Sequence, residues 1–486
     1  MSPTSRLYQC LSRLRFLVPV VGTFVLAVGF LSGGTATAQP DSESASAPPN
    51  ILVLVADDAG WRDFGAYGHE HIRTPNVDRL SETGLTFQRA FLTTPQCSPS
   101  RISMLTGRYP HATGAEDLHM PLPEDETILP TFLQRAGYVT GIMRKRHLGT
   151  AGNEQFDWYD PAEDHDFGAF SEFLALAQKD ERPFFMWVGF QDPHRPYPGD
   201  AIEQPHDPDS VVVPPYLADT PSTRDDIAAY YDEIARMDAN IGGFIEELER
   251  RDLRKNTLIV FLSDNGAPFP RAKGSLYDAG IRTPLIFNWP GTVPPGRYDG
   301  LASVIDLAPT LLEVAGLSPP QTMQGHSIEE VLHDPSVPGR EFVFSERNWH
   351  DTDAHMRSLR TDRYKLVTNG YPDRPFPIAA DIGDSPAWFD LLQKKRAGTL
   401  TEPQSPLFQS PRPAVEVYDL EDDPWEVRNV AGTPEHDAMI DSLTQRLHQW
   451  QQETGDFPAT RRTRADHTDR VTGVWYRHDI PPMRNK

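Results

Sequence analysis

Ile51-Leu52-Val53-Leu54-Val55-Ala56-Asp57-Asp58 decides the fold class. Five consecutive aliphatic residues without alternation suit a strand covered on both faces, as in a parallel sheet packed between helices. The two aspartates stand at its carboxyl end, where open α/β sheets bind ligands. The same arrangement recurs 206 residues later: Thr257-Leu258-Ile259-Val260-Phe261-Leu262 runs into Ser263-Asp264-Asn265-Gly266. Further apolar runs at 183–188, 138–143 and 284–287 read as strands, and the first two lead to Asp192-Pro193-His194 and to Lys145 and His147. Helical patterns lie between them at 101–105, 129–136, 225–251 and 305–315. Alternating strands and helices predict a mainly parallel α/β sheet flanked by helices.

The pattern changes near residue 335. Short separate strands are expected at 341–345, 356–360, 363–368 and 415–420, with a closing helix at 436–454. The expected organisation is an α/β catalytic domain at 50–335 and a smaller α+β subdomain, with an antiparallel sheet, at 336–486.

The N-terminus reads as an export signal over 1–38. Arg6, Arg13 and Arg15 precede an apolar run at 16–31, and Ala36-Thr37-Ala38 supplies an A-x-A cleavage site. Residues 39–49 read as a flexible tail. The protein is therefore expected in the periplasm or outside the cell, without stable membrane insertion. The 486-residue chain carries 69 acidic against 46 basic residues, a net charge of −23, and loss of the three arginines would deepen it. That field argues against nucleic acid as a partner. A polyanionic substrate needs a local basic pocket. Of the two cysteines, Cys10 lies in the export signal, so Cys97 is the single thiol of the exported chain and has no intramolecular disulfide partner.

Asp57, Asp58, Asp264 and Asn265 bring three carboxylates and an amide to the ends of two buried strands. Three carboxylates repel one another unless a cation neutralises them. An all-oxygen set suits a hard cation, Ca²⁺ first and Mg²⁺ second. Either pair taken alone reads better as a helix cap or turn; two pairs in equivalent positions favour the metal.

Cys97-Ser98-Pro99-Ser100-Arg101, followed by Leu105-Thr106-Gly107-Arg108, resembles the signature of the sulfatase family, C-x-P-S-R with L-T-G-R. Ala56-Asp57-Asp58 and Ser263-Asp264-Asn265-Gly266 are similar to the family's opening and closing metal motifs. Lys145-Arg146-His147-Leu148-Gly149 resembles G-K-W-H-L-G, with Arg144 in place of Gly and Arg146 in place of Trp. The stretch Lys273-Gly274-Ser275-Leu276-Tyr277 through Arg282-Thr283-Pro284 resembles K-G-x-x-Y-x-x-G-x-R-x-P. The likeness spans almost the whole exported chain. It implies an alkaline-phosphatase-like fold and oxidation of Cys97 to Cα-formylglycine (3-oxoalanine) by a formylglycine-generating maturation enzyme.

By the same resemblance, the metal is held by Asp57, Asp58, the modified Cys97, Asp264 and Asn265. Arg101 and Lys145 hold the formylglycine, His147 moves protons at its hydrate, and His194 and Lys273 contact the sulfate or protonate the leaving group. Gln191-Asp192-Pro193-His194-Arg195, Asp264 through Pro270, His355-Met356-Arg357-Ser358 and Arg374-Pro375-Phe376-Pro377-Ile378 are similar to the N-sulfoglucosamine sulfohydrolase (sulfamidase) branch. A sulfated saccharide is the implied substrate, with Asp192, His350 and Asp351 expected to face it. An O-sulfatase acting on an algal polysaccharide is the first alternative. A phosphoester or phosphonate hydrolase of the same superfamily is the second. Oligomeric state is not legible.

Overall fold

Residues 48–160, 167–373 and 375–460 are described by a computed structural model of the chain. The expected export signal at 1–38 lies outside them. Among the described residues, twelve strands fall into two sheets. The larger comprises β1 (Asn50–Ala56), β2 (Leu85–Phe91), β3 (Val139–Arg144), β4 (Trp158–Tyr159), β5 (Phe184–Gly189), β6 (Thr257–Ser263), β7 (Arg282–Asn288) and β8 (Gly296–Ser303). Their spatial order is β4-β3-β5-β1-β6-β7-β2-β8. Pairings are parallel except where β7 meets β6 and β2. This is the mixed, mainly parallel sheet of the alkaline-phosphatase-like fold.

β1 sits at the middle between β5 and β6, and all seven of its residues are buried. An unbroken aliphatic strand costs nothing there, because helices cover both faces. The helix Pro221–Arg250 packs one stripe, including Ile227, Ile234, Met237, Ile241, Phe244 and Leu248, into the core. Its Thr220 cap accepts a hydrogen bond from Thr223 N at 3.1 Å, and Pro221 occupies the first turn, where a missing N–H is harmless.

β9 (Val343–His350), β10 (Thr352–Arg360), β11 (Tyr364–Asn369) and β12 (Val415–Asp419) form a four-stranded antiparallel sheet in the order β12-β11-β10-β9. It joins the larger sheet where Glu346 N donates to Thr93 O at 2.8 Å and Ser345 Oγ donates to Leu92 O at 2.6 Å. The helix Asp437–Thr454 closes it through Leu443, Leu447 and Trp450. Three details differ from the sequence reading. β2 carries Gln88 and Arg89 amid apolar residues, with register irregularities beside them, and so lacks a clean period. The helix after Gln96 begins at Cys97 itself. β9 runs on to His350, beyond the expected 345. Among the described residues no helix is long and apolar enough to cross a membrane.

Candidate active site

β1 and β6 are paired in parallel with Ala56 opposite Ser263, so both strands end at one level. That register brings Asp57, Asp58, Asp264 and Asn265 together, and all four are fully buried. Asp58 adopts φ +71°, which folds the chain back so that its amide donates to Asp264 Oδ1 at 3.2 Å.

Cys97 is the first residue of the helix Cys97–Thr106, which is buried along its whole length. Its Sγ lies 3.8 Å from Asp57 Oδ1, 3.9 Å from Asp58 Oδ1 and 3.2 Å from Asn265 Nδ2. Burial pushes the thiol up, against the pull of Lys145 and Lys273. An unmodified Cys97 is thus held as a neutral thiol and is a poor nucleophile.

Each of the three carboxylates has its own cation. Arg101 Nε donates to Asp264 Oδ2 at 2.7 Å, Lys145 Nζ donates to Asp57 Oδ2, and Lys273 Nζ donates to Asp58 Oδ2 at 2.6 Å. Burial raises Asp57 to about 6, with Lys145 opposing it. Against burial, Arg101 and Lys145 hold Asp264 below the usual carboxylate range. Arg101 also donates from Nη1 to the carbonyl of Lys145 at 2.8 Å. The strand end that carries Lys145 lies against Gly189: a Cβ there would meet Lys145 O at 1.9 Å and Arg101 Nη1 at 2.3 Å. Only glycine allows that approach.

Asp57, Asp58, Cys97 and Asp264 offer ligand atoms within 4.8 Å of one another. Asn265 supplies a further test of fit. Its Nδ2 faces Asp58, Asp264 and Cys97, while its buried Oδ1 has no hydrogen-bond partner among the described residues. Turning the amide over would aim that oxygen at two carboxylates and the Cys97 sulfur, which only a cation makes favourable. The donor set therefore fits a hard divalent metal.

A cavity of about 380 Å³ opens above Cys97 and is lined by Lys145, His147, His194, Lys273, His350 and Asp351 among others. His147 stands edge-on to His119, their ring centres 5.2 Å apart. Burial, then Lys145 and Arg101, push its ring well below the usual histidine range. His194 Nε2 lies 3.8 Å from Asp58 Oδ2. His350 Nδ1 and Asp351 Oδ2 are 2.7 Å apart, and Asp351 also accepts from Ala380 N at 2.8 Å.

Asp192, expected to face the substrate, is placed elsewhere. It is 3% exposed and does not line the cavity; Arg236 Nη2 and Nε donate to its two oxygens at 2.7 and 3.0 Å. Its own carbonyl accepts from Asp57 N at 3.0 Å. A carboxylate buried next to a guanidinium is drawn to it, so Asp192 props the loop rather than lining the cavity. The sequence reading missed Asp381, in the short helix Ala380–Gly383: its Oδ2 accepts from Lys273 Nζ at 2.6 Å and lies 3.6 Å from His194 Nε2. It missed His119 as a lining residue too. Neither sits in a motif that a single sequence would expose.

Residues 49–317 match the family described as Sulfatase, and residues 272–376 match the one described as N-sulphoglucosamine sulphohydrolase, C-terminal. The human N-sulphoglucosamine sulphohydrolase is 32% identical over 461 residues, covering 84% of this chain and 91% of the human protein. An ulvan-active sulfatase of Formosa agariphila is 27% identical over 454 residues, 84% of this chain and 75% of the relative. Among solved structures, a protein in complex with its substrate D-glucosamine-2-N,6-O-disulfate superposes with a TM-score of 0.64 at 20% identity, over 84% of this chain and 98% of that one. The phosphonate monoester hydrolase of Agrobacterium radiobacter does so with a TM-score of 0.65 at 19%, over 84% and 96%. These two likenesses concern the fold. The extent of the family match and the human relative's identity show that the chain belongs to the sulfatase family, metal-dependent hydrolases of sulfuric ester or sulfamide bonds.

Proposed function

We propose that this chain is an exported, formylglycine-dependent sulfatase that removes sulfate from a sulfated sugar, with an N-sulfoglucosamine-type unit as its first substrate. The observation that carries the reading is the setting of Cys97: the first residue of a buried helix, among three carboxylates that are each paired with a cation. A thiol held neutral there has little use of its own. Oxidised to the aldehyde by a maturation enzyme, the same position supplies a hydrate with two hydroxyls.

Asp57, Asp58, Asp264, Asn265 and the modified residue 97 would hold Ca²⁺, with Mg²⁺ as the second candidate. Bound there, the ion would polarise sulfate oxygens and acidify the hydrate. The chain's own groups do the rest. His147, kept neutral by its surroundings, accepts the proton of the attacking hydroxyl. An S–O bond forms to residue 97 as the bond from sulfur to the leaving atom breaks, and that atom takes a proton from His194 or Lys273. Loss of the second hydroxyl's proton then restores the aldehyde and expels sulfate. Arg101 and Lys145 hold the hydrate in place, and Lys273 at the cavity floor binds sulfate oxygens.

The human relative's name and the C-terminal match support an N-sulfate. The ulvan-active relative supports the O-sulfate alternative. A two-zinc phosphatase needs several imidazole ligands; the Asp57, Asp58, Cys97 and Asp264 cluster has none, and the adjoining Asp58, His194 and Asp381 group has one. The expected export signal at 1–38 supports an extracytoplasmic site of action.

Peptide mass analysis tests the nucleophile. The peptide holding residue 97 should be lighter than its thiol form by about 18 Da. Active protein carrying only the intact thiol would overturn the mechanism. Sulfate release from N-sulfoglucosamine, 6-O-sulfated glucosamine and sulfated algal oligosaccharides tests the substrate. No release from N-sulfoglucosamine would hand the reading to the O-sulfate alternative.

A further inference from the structure

We propose that Asp381 selects for an amine leaving group, making the cavity better matched to N-sulfate than to O-sulfate. This inference rests on the sulfatase reading of the cavity and sharpens it. Asp381 is bonded to the cavity's buried end and still 20% exposed by its side chain, whereas Lys273 is 1% exposed. It therefore stands where the buried end, which takes the sulfate, gives way to the open end, which takes the sugar. Its Oδ2 accepts from Lys273 Nζ at 2.6 Å and lies 3.6 Å from His194 Nε2, while its Oδ1 accepts from Ile382 N at 3.1 Å. Its backbone is tethered from behind, because Asp351 Oδ2 accepts from the neighbouring Ala380 amide. Asp381 belongs to neither strand-end carboxylate pair and lies outside the Asp57, Asp58, Cys97 and Asp264 cluster, although with Asp58 and His194 it forms a second group whose ligand atoms lie within 4.8 Å of one another.

A carboxylate in that position is unfavourable for a plain sulfate ester. It weakens the hold of Lys273 on the sulfate oxygens by sharing its charge, and the neutral alcohol that leaves gains nothing from it. For a sulfamate the balance reverses. The S–N bond breaks as S–O forms to residue 97, and the electron pair of the S–N bond stays on nitrogen. Nitrogen takes the proton of His194 Nε2 before the S–N bond has fully broken, carries a positive charge while that bond breaks, and leaves as a neutral primary amine once the bond's electron pair returns to it. That positive charge develops beside Asp381. Electrostatic stabilisation aimed at charge that appears during the reaction lowers the barrier, whereas stabilisation of the bound substrate alone does not. The placement of Asp192 strengthens the argument: Arg236 takes both of its oxygens, so it offers no free carboxylate to an amine.

The test uses matured, metal-loaded enzyme and the variants Asp381→Asn and Asp381→Glu. Values of kcat/KM are measured for N-sulfoglucosamine and for glucosamine 6-O-sulfate, with thermal midpoints as a folding check. The expected result is a fall of about 10²-fold in the N-to-O ratio for the Asn variant, partly restored by Glu. Calorimetric binding of glucosamine should weaken about tenfold in the Asn variant, and binding of uncharged N-acetylglucosamine should change far less. Equal losses on both substrates, with glucosamine binding unaltered, would make Asp381 a mere support for Lys273 and overturn the inference alone. Wild-type enzyme that releases sulfate only from the 6-O position overturns both the inference and the N-sulfate reading.

Discussion

Replacing Arg101 by Met removes a charge while nearly preserving volume. Arg101 and Asp264 are both fully buried. Arg101 makes the 2.7 Å bond to Asp264 and the 2.8 Å bond to Lys145 O. Removing one member of a buried ion pair leaves its partner uncompensated, at a cost of about 3–5 kcal/mol. The orphaned Lys145 carbonyl adds about 1 kcal/mol. A divalent cation at the carboxylates would supply the missing positive charge, so most of the Asp264 penalty should return when metal is present. The assay is urea unfolding of wild type and Arg101→Met, each in EDTA and in excess Ca²⁺. The expected difference is about 5 kcal/mol without metal and less than half of that with it. A metal-free difference below about 1 kcal/mol would refute the pairing argument. So would a difference that Ca²⁺ leaves unchanged. Turnover should fall at least about 10²-fold in either case, because Arg101 also holds the strand end of Lys145.

Three other outcomes follow from the same geometry. Gly189→Ala touches no candidate catalytic group by its own chemistry, yet its Cβ would collide with Lys145 O; a destabilisation of about 1–3 kcal/mol and a loss of kcat larger than the change in KM are expected from unfolding and steady-state measurements. Asp456 is held at about 2: burial raises it, and Arg357, donating to both of its oxygens at 2.6 Å, more than reverses that. The folded value lies below the unfolded one of 3.8, so this carboxylate contributes about 2 kcal/mol above pH 3.8 that disappears as pH falls through 2. Asp456→Asn should therefore be less stable than wild type at pH 6, with the gap closing on acidification. Exhaustive chelation should abolish turnover, and Ca²⁺ should restore it better than Zn²⁺, since the ligands are oxygens; full activity in chelator would remove the metal from the mechanism.

The core of this site was legible because β1 and β6 are buried on both faces. A continuous aliphatic run announces such a strand, and the polar residues at its end are then located without any knowledge of the rest. Lys145, His147, His194 and Lys273 were found as members of short motifs, and the structure gathers all four around the cavity. Direction is what the sequence hides. Asp192 lies two residues before His194, but its carboxylate meets Arg236, and nothing in a Gln-Asp-Pro-His string tells which way it points. Asp381 is 108 residues from the lysine it binds and sits on a four-residue helix with no periodicity to read. β2 escaped notice for a related reason, since Gln88 and Arg89 interrupt its apolar pattern where its register shifts.

The pairing of Asp57, Asp58 and Asp264 with Lys145, Lys273 and Arg101 bears on the order of assembly. Every buried charge at the strand ends is matched from within the chain, so folding need not wait for an ion. If Asp57 turned to an incoming cation it would release the Lys145 ammonium, which faces the cavity, whereas Lys273 would keep its bond to Asp381. Affinity for anions is thus latent in the newly folded chain and is unlocked by metal loading. Without a cation, the groups suited to hold a sulfate are held by the chain's own carboxylates.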